Sequence, residues 1–89
     1  MSSEKFIILD RDGVINYDSS EYVKNPSEWK PIPNSIEAIR ILTDNFFNII
    51  VITNQSGINR GIISYEAFTE INIKMLDTIN KAGGAIHSI

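Results

Sequence analysis

The chain has 89 residues, a formal net charge of -3 and 43% hydrophobic residues, which suits one small domain near the lower end of domain size. The mild acidity argues against a nucleic-acid partner bound through a broad basic face. The absence of cysteine excludes a disulfide framework and a thiolate zinc site within these residues. The apolar runs are too short to cross a bilayer, and the start, MSSEKF, lacks the pattern of a signal peptide. We therefore expect a cytoplasmic protein without a membrane partner.

Two short apolar segments predict strands of a parallel sheet. KFIIL, residues 5–9, and NIIVIT, residues 48–53, are apolar without alternation, the pattern of strands covered on both faces. Between them, residues 14–33 are polar and contain aromatic residues and prolines. We interpret them as a flap or substrate loop, because a loop this long inside a compact domain usually serves a function.

Helix signals follow each predicted strand. Asn34 or Ser35 is a candidate N-cap, and apolar residues then recur at helical spacing. Ser64 predicts the start of a second helix, which Gly83 and Gly84 should end. The final residues, AIHSI, suggest the start of a third strand. Two consecutive βαβ units follow from this order, so we predict an α/β fold with a Rossmann-like parallel sheet and right-handed crossovers.

The handedness of these crossovers predicts an uncovered sheet face. If the strands lie in the order 1-2-3, right-handed crossovers place both helices on the same face. The other face is then bare and the first strand is an open edge, although both strands have the composition of covered strands. We therefore expect residues 1–89 to be the N-terminal half of one doubly wound domain. Self-association through the bare face is the alternative.

Polar side chains follow both strands at the sheet edge where parallel α/β folds bind ligands. Asp10 and Asp12 end the first strand, and extended geometry would place their carboxylates on one side and Arg11 on the other. Such a pair suits a hard divalent cation, most often Mg²⁺, and a carboxylate held there can attack phosphorus. Gly13 allows a sharp turn and the close approach of a ligand.

A second polar set follows the second strand. Thr53 and Asn54 offer neutral donors for phosphate oxygens, Ser56 and the next glycine offer N–H groups, and Arg60 offers a guanidinium suited to an anion. An isolated D-x-D is common on protein surfaces, and Arg60 could be an ordinary solvated loop residue. The placement of D-x-D-G and T-N-Q directly after two buried-type strands favours the functional interpretation.

Three other features can be explained without a functional role. Trp29, Tyr17 and Tyr22 fit a substrate cap and plain flap packing equally well. The polar face of its helix explains Lys74, and His87 has no second ligand candidate near it.

Taken together, LDRDGVIN, residues 9–16, and VITNQSGINRG, residues 51–61, resemble the motifs of the haloacid dehalogenase-like (HAD) phosphatases. Within that superfamily the chain is most similar to the D-glycero-D-manno-heptose-1,7-bisphosphate 7-phosphatases and the related histidinol-phosphate phosphatases. The resemblance runs from Phe6 to Ile89. It implies Mg²⁺-dependent hydrolysis of a small phosphorylated sugar through an aspartyl-phosphate.

The resemblance also implies a role for each matching residue. Asp10 would be the nucleophile and a Mg²⁺ ligand. Asp12 would act as acid and base, with its backbone carbonyl facing the metal. Thr53 and Asn54 would hold the transferring phosphoryl group. The other substrate-binding positions that the resemblance implies are Arg11, Gly13, Asp18, Tyr22, Gln55, Ser56 and Arg60.

The family needs further groups that these residues do not supply. Its phosphoryl-binding lysine and remaining acidic metal ligand come after the third strand, and many members carry a Cys/His zinc loop beyond the position of Ile89. We therefore expect half an active site, and little turnover from these residues alone. Polynucleotide 3′-phosphatases also resemble the TNQ-x-GI-x-RG pattern but need a basic surface. A non-catalytic binding module is the remaining alternative, against which the intact Asp10 and Asp12 argue.

Overall fold

The computed structural model describes residues 4–18, 22–54 and 56–89, and within them two strands form a parallel pair. The pairing is continuous, from Lys5 opposite Phe47 to Asp10 opposite Ile52. The predicted α/β fold with a parallel sheet is confirmed. The elements in chain order are β1 (Lys5–Asp10), a 3₁₀ turn (Pro26–Glu28), α1 (Ser35–Asp44), β2 (Phe47–Ile52), α2 (Ser56–Asn59) and α3 (Tyr65–Lys81).

The third predicted strand is present as a single parallel bridge between Ile50 and Ser88. The N–H of His87 donates to the carbonyl of Ile49 at 2.8 Å, and the N–H of Val51 donates to the carbonyl of Ser88 at 2.9 Å. These bonds occupy the edge of β2 that β1 does not use. The order is therefore β1, β2 and then the Ser88 segment, as expected, and β1 is the outer strand.

Both main helices begin where the sequence signals predict, and α3 also ends where predicted. The Ser64 hydroxyl accepts a hydrogen bond from the N–H of Ala67 at 3.0 Å and caps α3. Asn34 occupies the cap position of α1 with a φ of 72° but makes no side-chain capping bond. Gly83, with a φ of 94°, follows the end of α3, where a left-handed residue commonly closes a helix. No helix in the three described ranges has the length and apolar character needed to span a membrane.

Both helices pack on one face of the sheet. The core joins the buried side chains of β2 to those of α1 and α3, whereas the opposite face is open to solvent. On that open face Phe6 is 51%, Ile8 61% and Ile52 50% exposed. The predicted bare face is therefore confirmed, and no described residue supplies the cover that the composition of the two strands suggests. The core side chains of these three elements are Ile39, Ile49, Val51, Ile71, Met75 and Ile79.

The described part of the flap is packed onto the same core. Trp29 is buried, and the flap is closed by an antiparallel bridge between Asn16 and Pro31. The Lys74 ammonium on α3 donates to the carbonyl oxygens of Pro26 at 2.6 Å and Trp29 at 3.2 Å. Trp29 therefore packs in the core, as the packing interpretation expected. Lys74 lies on the polar face of α3 and also binds the flap through these two hydrogen bonds. Residues 19–21 of the predicted substrate loop lie outside the described ranges.

Candidate active site

A cavity of about 430 Å³ opens beyond the carboxyl ends of β1 and β2. This is the position at which parallel α/β sheets bind ligands. The polar side of the cavity comes from the end of β1, the flap and the segment after β2, and three apolar side chains complete it. The lining residues are Asp10, Arg11, Asp12, Asp18, Tyr22, Val23, Ile52, Asn54 and Ile63.

Six of the site residues predicted from the sequence line this cavity. Three other predicted site residues lie outside its lining. Thr53 is half-buried directly after β2, Gly13 is exposed in the turn after β1, and Arg60 is exposed after α2. None of these three lines the cavity. Gln55 and the side chain of Ser56 lie outside the described residues, so their roles remain predictions. The six residues that come together are Asp10, Arg11, Asp12, Asp18, Tyr22 and Asn54.

The apolar side of the cavity was not predicted. Val23 and Ile63 are buried, and Ile52 is the last residue of β2. Ile52 could have been placed from alternation along β2, since Asn48, Ile50 and Ile52 share one face. The other two come from loops, whose path the sequence does not determine.

Asp10 stands at the end of β1 with its carboxylate available. It is the last residue of the strand and is exposed. The N–H of Arg11 donates to the carbonyl of Ile52 at 2.9 Å, so the backbone remains attached to β2 one residue beyond Asp10. Among the described residues, the Asp10 carboxylate has no hydrogen-bonding or ion-pair partner. A hydrogen-bonded strand end thus presents this carboxylate at the cavity without a partner from residues 4–18, 22–54 or 56–89.

Asp12 has very different surroundings. The Arg11 guanidinium donates to both of its carboxylate oxygens at 3.2 Å, from Nε to Oδ1 and from Nη2 to Oδ2. The Asn16 amide also donates to Oδ1, at 2.8 Å. The extended geometry assumed in the sequence analysis ends at Asp10, because the Arg11 carbonyl accepts the N–H groups of Ile15 and Asn16 and closes a turn. The expectation that Arg11 lies on the side opposite both carboxylates required extended geometry to residue 12, and it is wrong for Asp12, to which the guanidinium is bound.

Asn16 is a site residue that sequence analysis missed. Its side chain is fully buried, and its Nδ2 also donates to the Tyr17 carbonyl at 3.0 Å. Its Oδ1 has no partner among the described residues. The signal for it was a polar residue at the end of VIN, which by itself suggests only a turn.

The oxygen donors near Asp10 fit part of a magnesium shell. Mg²⁺ prefers oxygen ligands in octahedral geometry and usually keeps several waters. Among the described residues, the Asp10 carboxylate has no partner. The main-chain hydrogen bonds of the turn there go to the carbonyls of Arg11 and Asn16, and none goes to the carbonyl of Asp12. Within the described ranges, no three His, Cys, Asp or Glu side chains are grouped to hold a metal. The residues present therefore fit two positions of such a shell.

The chain is similar in sequence to curated proteins named as phosphatases, although no family model matches it. A D-glycero-beta-D-manno-heptose-1,7-bisphosphate 7-phosphatase from Neisseria meningitidis is 45% identical over 85 residues, which cover 96% of this chain and 46% of that protein. The protein of the same name from Pseudomonas aeruginosa is 43% identical over 84 residues, which cover 94% of this chain and 47% of that protein. The chain spans about half the length of the curated relatives it matches.

Solved structures give the same result for the fold. The D,D-heptose 1,7-bisphosphate phosphatase from Bordetella bronchiseptica, complexed with magnesium and phosphate, matches with a TM-score of 0.92 and 42% identity over 96% of this chain and 48% of that one. The enzyme of that name from Burkholderia thailandensis matches with a TM-score of 0.75 and 38% identity, over 96% of this chain and 50% of that one. In sequence and in fold, the chain is therefore similar to about one half of proteins named heptose-1,7-bisphosphate phosphatases.

Proposed function

We propose that these residues form the nucleophile-bearing half of a Mg²⁺-dependent phosphatase that acts on a small sugar bisphosphate, such as D-glycero-D-manno-heptose 1,7-bisphosphate. The observation that carries the proposal is the contrast between two acids on one cavity. The Asp10 carboxylate has no partner in the part of the chain that the structure describes, whereas Asp12 is held by hydrogen bonds beside it. The names of the relatives support the substrate class.

Asp10 and Asp12 divide the chemistry in this proposal. An Asp10 oxygen attacks phosphorus, the ester P–O bond breaks, and the electron pair goes to the sugar oxygen, which takes a proton from Asp12. Asp12 then removes a proton from a water that attacks the aspartyl-phosphate, and inorganic phosphate leaves. Thr53 and Asn54, just beyond β2, donate hydrogen bonds to the transferring phosphoryl group, and Gly13 leaves the backbone accessible to substrate. The substrate-contacting roles of Asp18, Tyr22, Gln55, Ser56 and Arg60 belong to the same proposal.

Magnesium in this proposal is held by the Asp10 carboxylate and the main-chain carbonyl of Asp12. When bound, it would neutralise charge on the phosphoryl group. The magnesium and phosphate of the Bordetella relative support this assignment. The remaining ligands and a phosphoryl-binding lysine are expected from polypeptide outside these residues, and so is any zinc loop.

The setting of the protein is part of the proposal. We infer a cytoplasmic enzyme with neither a nucleic-acid nor a membrane partner, in which residues 1–89 belong to one domain and residues 14–33 form its substrate loop. The net charge of -3 favours a sugar phosphate over a polynucleotide substrate. Histidinol phosphate is the closest competing substrate. The exposed apolar sheet face is a packing surface for further polypeptide of the domain, or for a second copy when these residues are alone.

The test measures phosphate release from heptose 1,7-bisphosphate and from histidinol phosphate by the complete translated product that contains these residues. We expect turnover with Mg²⁺, loss of turnover with a chelator, and a fall in kcat of at least about 10³-fold for Asp10→Asn. Asp77→Asn, an exposed acid on α3, is the matched control and should leave kcat unchanged. Unchanged turnover in Asp10→Asn would refute the nucleophile, and rapid turnover by the 89 residues alone would refute the half-site.

A further inference from the structure

Arg11 is a buried arginine at the edge of the cavity. Only 3% of it is exposed, although the strand residue before it and the glycine two positions after it are both exposed. A guanidinium loses its hydration when it is buried, so it needs specific partners in the protein. The partners of Arg11 therefore indicate what it does.

Three groups surround the guanidinium. Nε and Nη2 donate to the two oxygens of Asp12, and Nη1 donates to Oδ1 of Asn72 on α3 at 2.9 Å. The centre of the guanidinium lies 5.6 Å from the ring centroid of Phe68, one turn earlier on α3. All three guanidinium nitrogens thus have protein acceptors, and the group connects the helix to the acid.

We propose that Arg11 and Asn72 are positioning residues that fix the Asp12 carboxylate at the cavity. This inference rests on the proposed function, in which Asp12 transfers both protons. A planar guanidinium that meets both oxygens of a carboxylate fixes its plane as well as its location. Asn72 stops the guanidinium from rotating, because it accepts from the nitrogen that Asp12 does not use.

This role differs from the substrate contact that the family resemblance implied for Arg11. A substrate-binding arginine would keep free nitrogens at the cavity and would mainly affect KM. A positioning residue affects the proton-transfer steps, because a misplacement of about 1 Å can cost a large part of the rate. A merely structural ion pair would affect stability and slow every substrate equally.

The experiment uses the complete translated product and two kinds of substrate. Asn72→Leu removes the acceptor with little change in volume, and Asn80→Leu, at an exposed position on the same helix, is the matched control. We expect kcat for a sugar phosphate to fall roughly tenfold or more in Asn72→Leu, with KM within about twofold. The loss on p-nitrophenyl phosphate should be smaller, because its leaving group needs no proton.

Arg11→Lys keeps the positive charge but removes the planar pair of donors that binds both Asp12 oxygens, so it should show the same substrate-dependent loss. This variant tests the proposal if Asn72→Leu does not fold. Asp12→Asn should show the pattern in stronger form. An equal loss of kcat/KM on the two substrates, or a rise in KM alone, would overturn the positioning role, because kcat/KM reports phosphoryl transfer and not the hydrolysis step common to both substrates.

A second measurement does not depend on turnover. In the same protein labelled with ¹³C at aspartate carboxyl groups, the Asp12 resonance, assigned by its loss in Asp12→Asn, should move in Asn72→Leu and stay in place in Asn80→Leu. If the wild-type protein hydrolyses neither substrate, the proposed function fails while this resonance still decides whether Asn72 acts on Asp12. An unmoved resonance would overturn the coupling between them.

Discussion

Asp10 and Asp12 are two residues apart, yet the turn that begins at Arg11 gives them opposite surroundings. Asp10 ends a strand that stays hydrogen-bonded to β2, so its position follows from the backbone of the sheet. Asp12 lies beyond the strand, and side chains hold it: Arg11 on one side and Asn16 on the other. The nucleophile in our proposal is therefore placed by the backbone, and the acid–base residue by three hydrogen bonds.

A surface residue of α1 gives a test of pH dependence. Hydrogen bonding from Arg40, at 3.1 Å from Nε to Oε2 and in a second bond from Nη2 to Oε1, lowers the pKa of Glu37 from its usual 4.5. A carboxylate with a lowered pKa in the folded state adds stability above its unfolded pKa, and that stability is lost as pH falls through the folded value. Because Glu37 is exposed, the contribution is small.

Glu37→Gln should therefore lower the Tm slightly at pH 7, and the difference from wild type should shrink as pH falls below 4.5 and through the lowered pKa of Glu37. Thermal unfolding followed by circular dichroism over a series of decreasing pH values measures this. Glu70→Gln, an exposed change on α3, controls for the loss of one negative charge. A difference that persists at low pH would show that the effect is not the ion pair.

Residue positions were predictable where the end of a strand determined them. Asp10 and Asn54 come next to strand ends in the sequence, so topology alone brought them to one cavity. The Arg11–Asn72 contact joins residues 61 positions apart, and no local sequence pattern predicts it. It depends on how α3 lies across the end of β1, which is set by packing of the whole core.

At the scale of elements, the flap is held to α3 by one lysine. The Lys74 ammonium binds two carbonyl oxygens of the flap and lies 5.8 Å from the centroid of the Trp29 ring. Hydrogen bonds that involve a charged group contribute about 1.5–3 kcal/mol each to stability. Removal of the Lys74 ammonium would take two such bonds from the flap. Tyr22 and Val23 of the flap line the cavity, so the tether also affects the site.

Lys74→Met, which keeps most of the apolar stem, should loosen the flap without unfolding the domain. We expect the Trp29 amide, bonded to the Pro26 carbonyl at 3.1 Å, to exchange its hydrogen roughly tenfold faster, with amides of β2 much less affected. Hydrogen exchange measured by NMR checks this. Lys81→Met, in the exposed last turn of α3, is the matched control, and equal exchange in the two variants would contradict the tether.

Elements whose ends carry local chemistry were predicted well. Ser64 caps α3 through its own hydroxyl, and Gly83 follows the end of that helix with the positive φ that glycine allows. AIHSI predicted a third strand, and the structure has a single bridge there. A longer strand needs hydrogen-bonding partners along its whole length, and the local sequence does not show whether they are present. The four-residue helix α2 was missed, since TNQSG suggests only a polar loop.

At the scale of the whole molecule, the described residues leave the sheet with one covered and one uncovered face. Right-handed crossovers predicted this from the order of elements alone, and the burial of β1 and β2 agrees. Exposed apolar clusters of this kind mark surfaces that normally pack against other polypeptide. Relatives of about twice this length with the same fold over the matched half are consistent with a packing surface for the rest of a domain.

The 89 residues alone should therefore self-associate through the Phe6, Ile8 and Ile52 face and bind a hydrophobic dye. Ile8→Asp places a charge at the centre of that face, where the side chain is already 61% exposed, so folding should survive while association and dye fluorescence fall. Ile73→Asp, on an α3 residue that is 53% exposed and outside the sheet, should leave both unchanged. Size-exclusion chromatography with light scattering, at several concentrations, measures the association. A monomer at all concentrations without dye fluorescence would show that this face needs no partner.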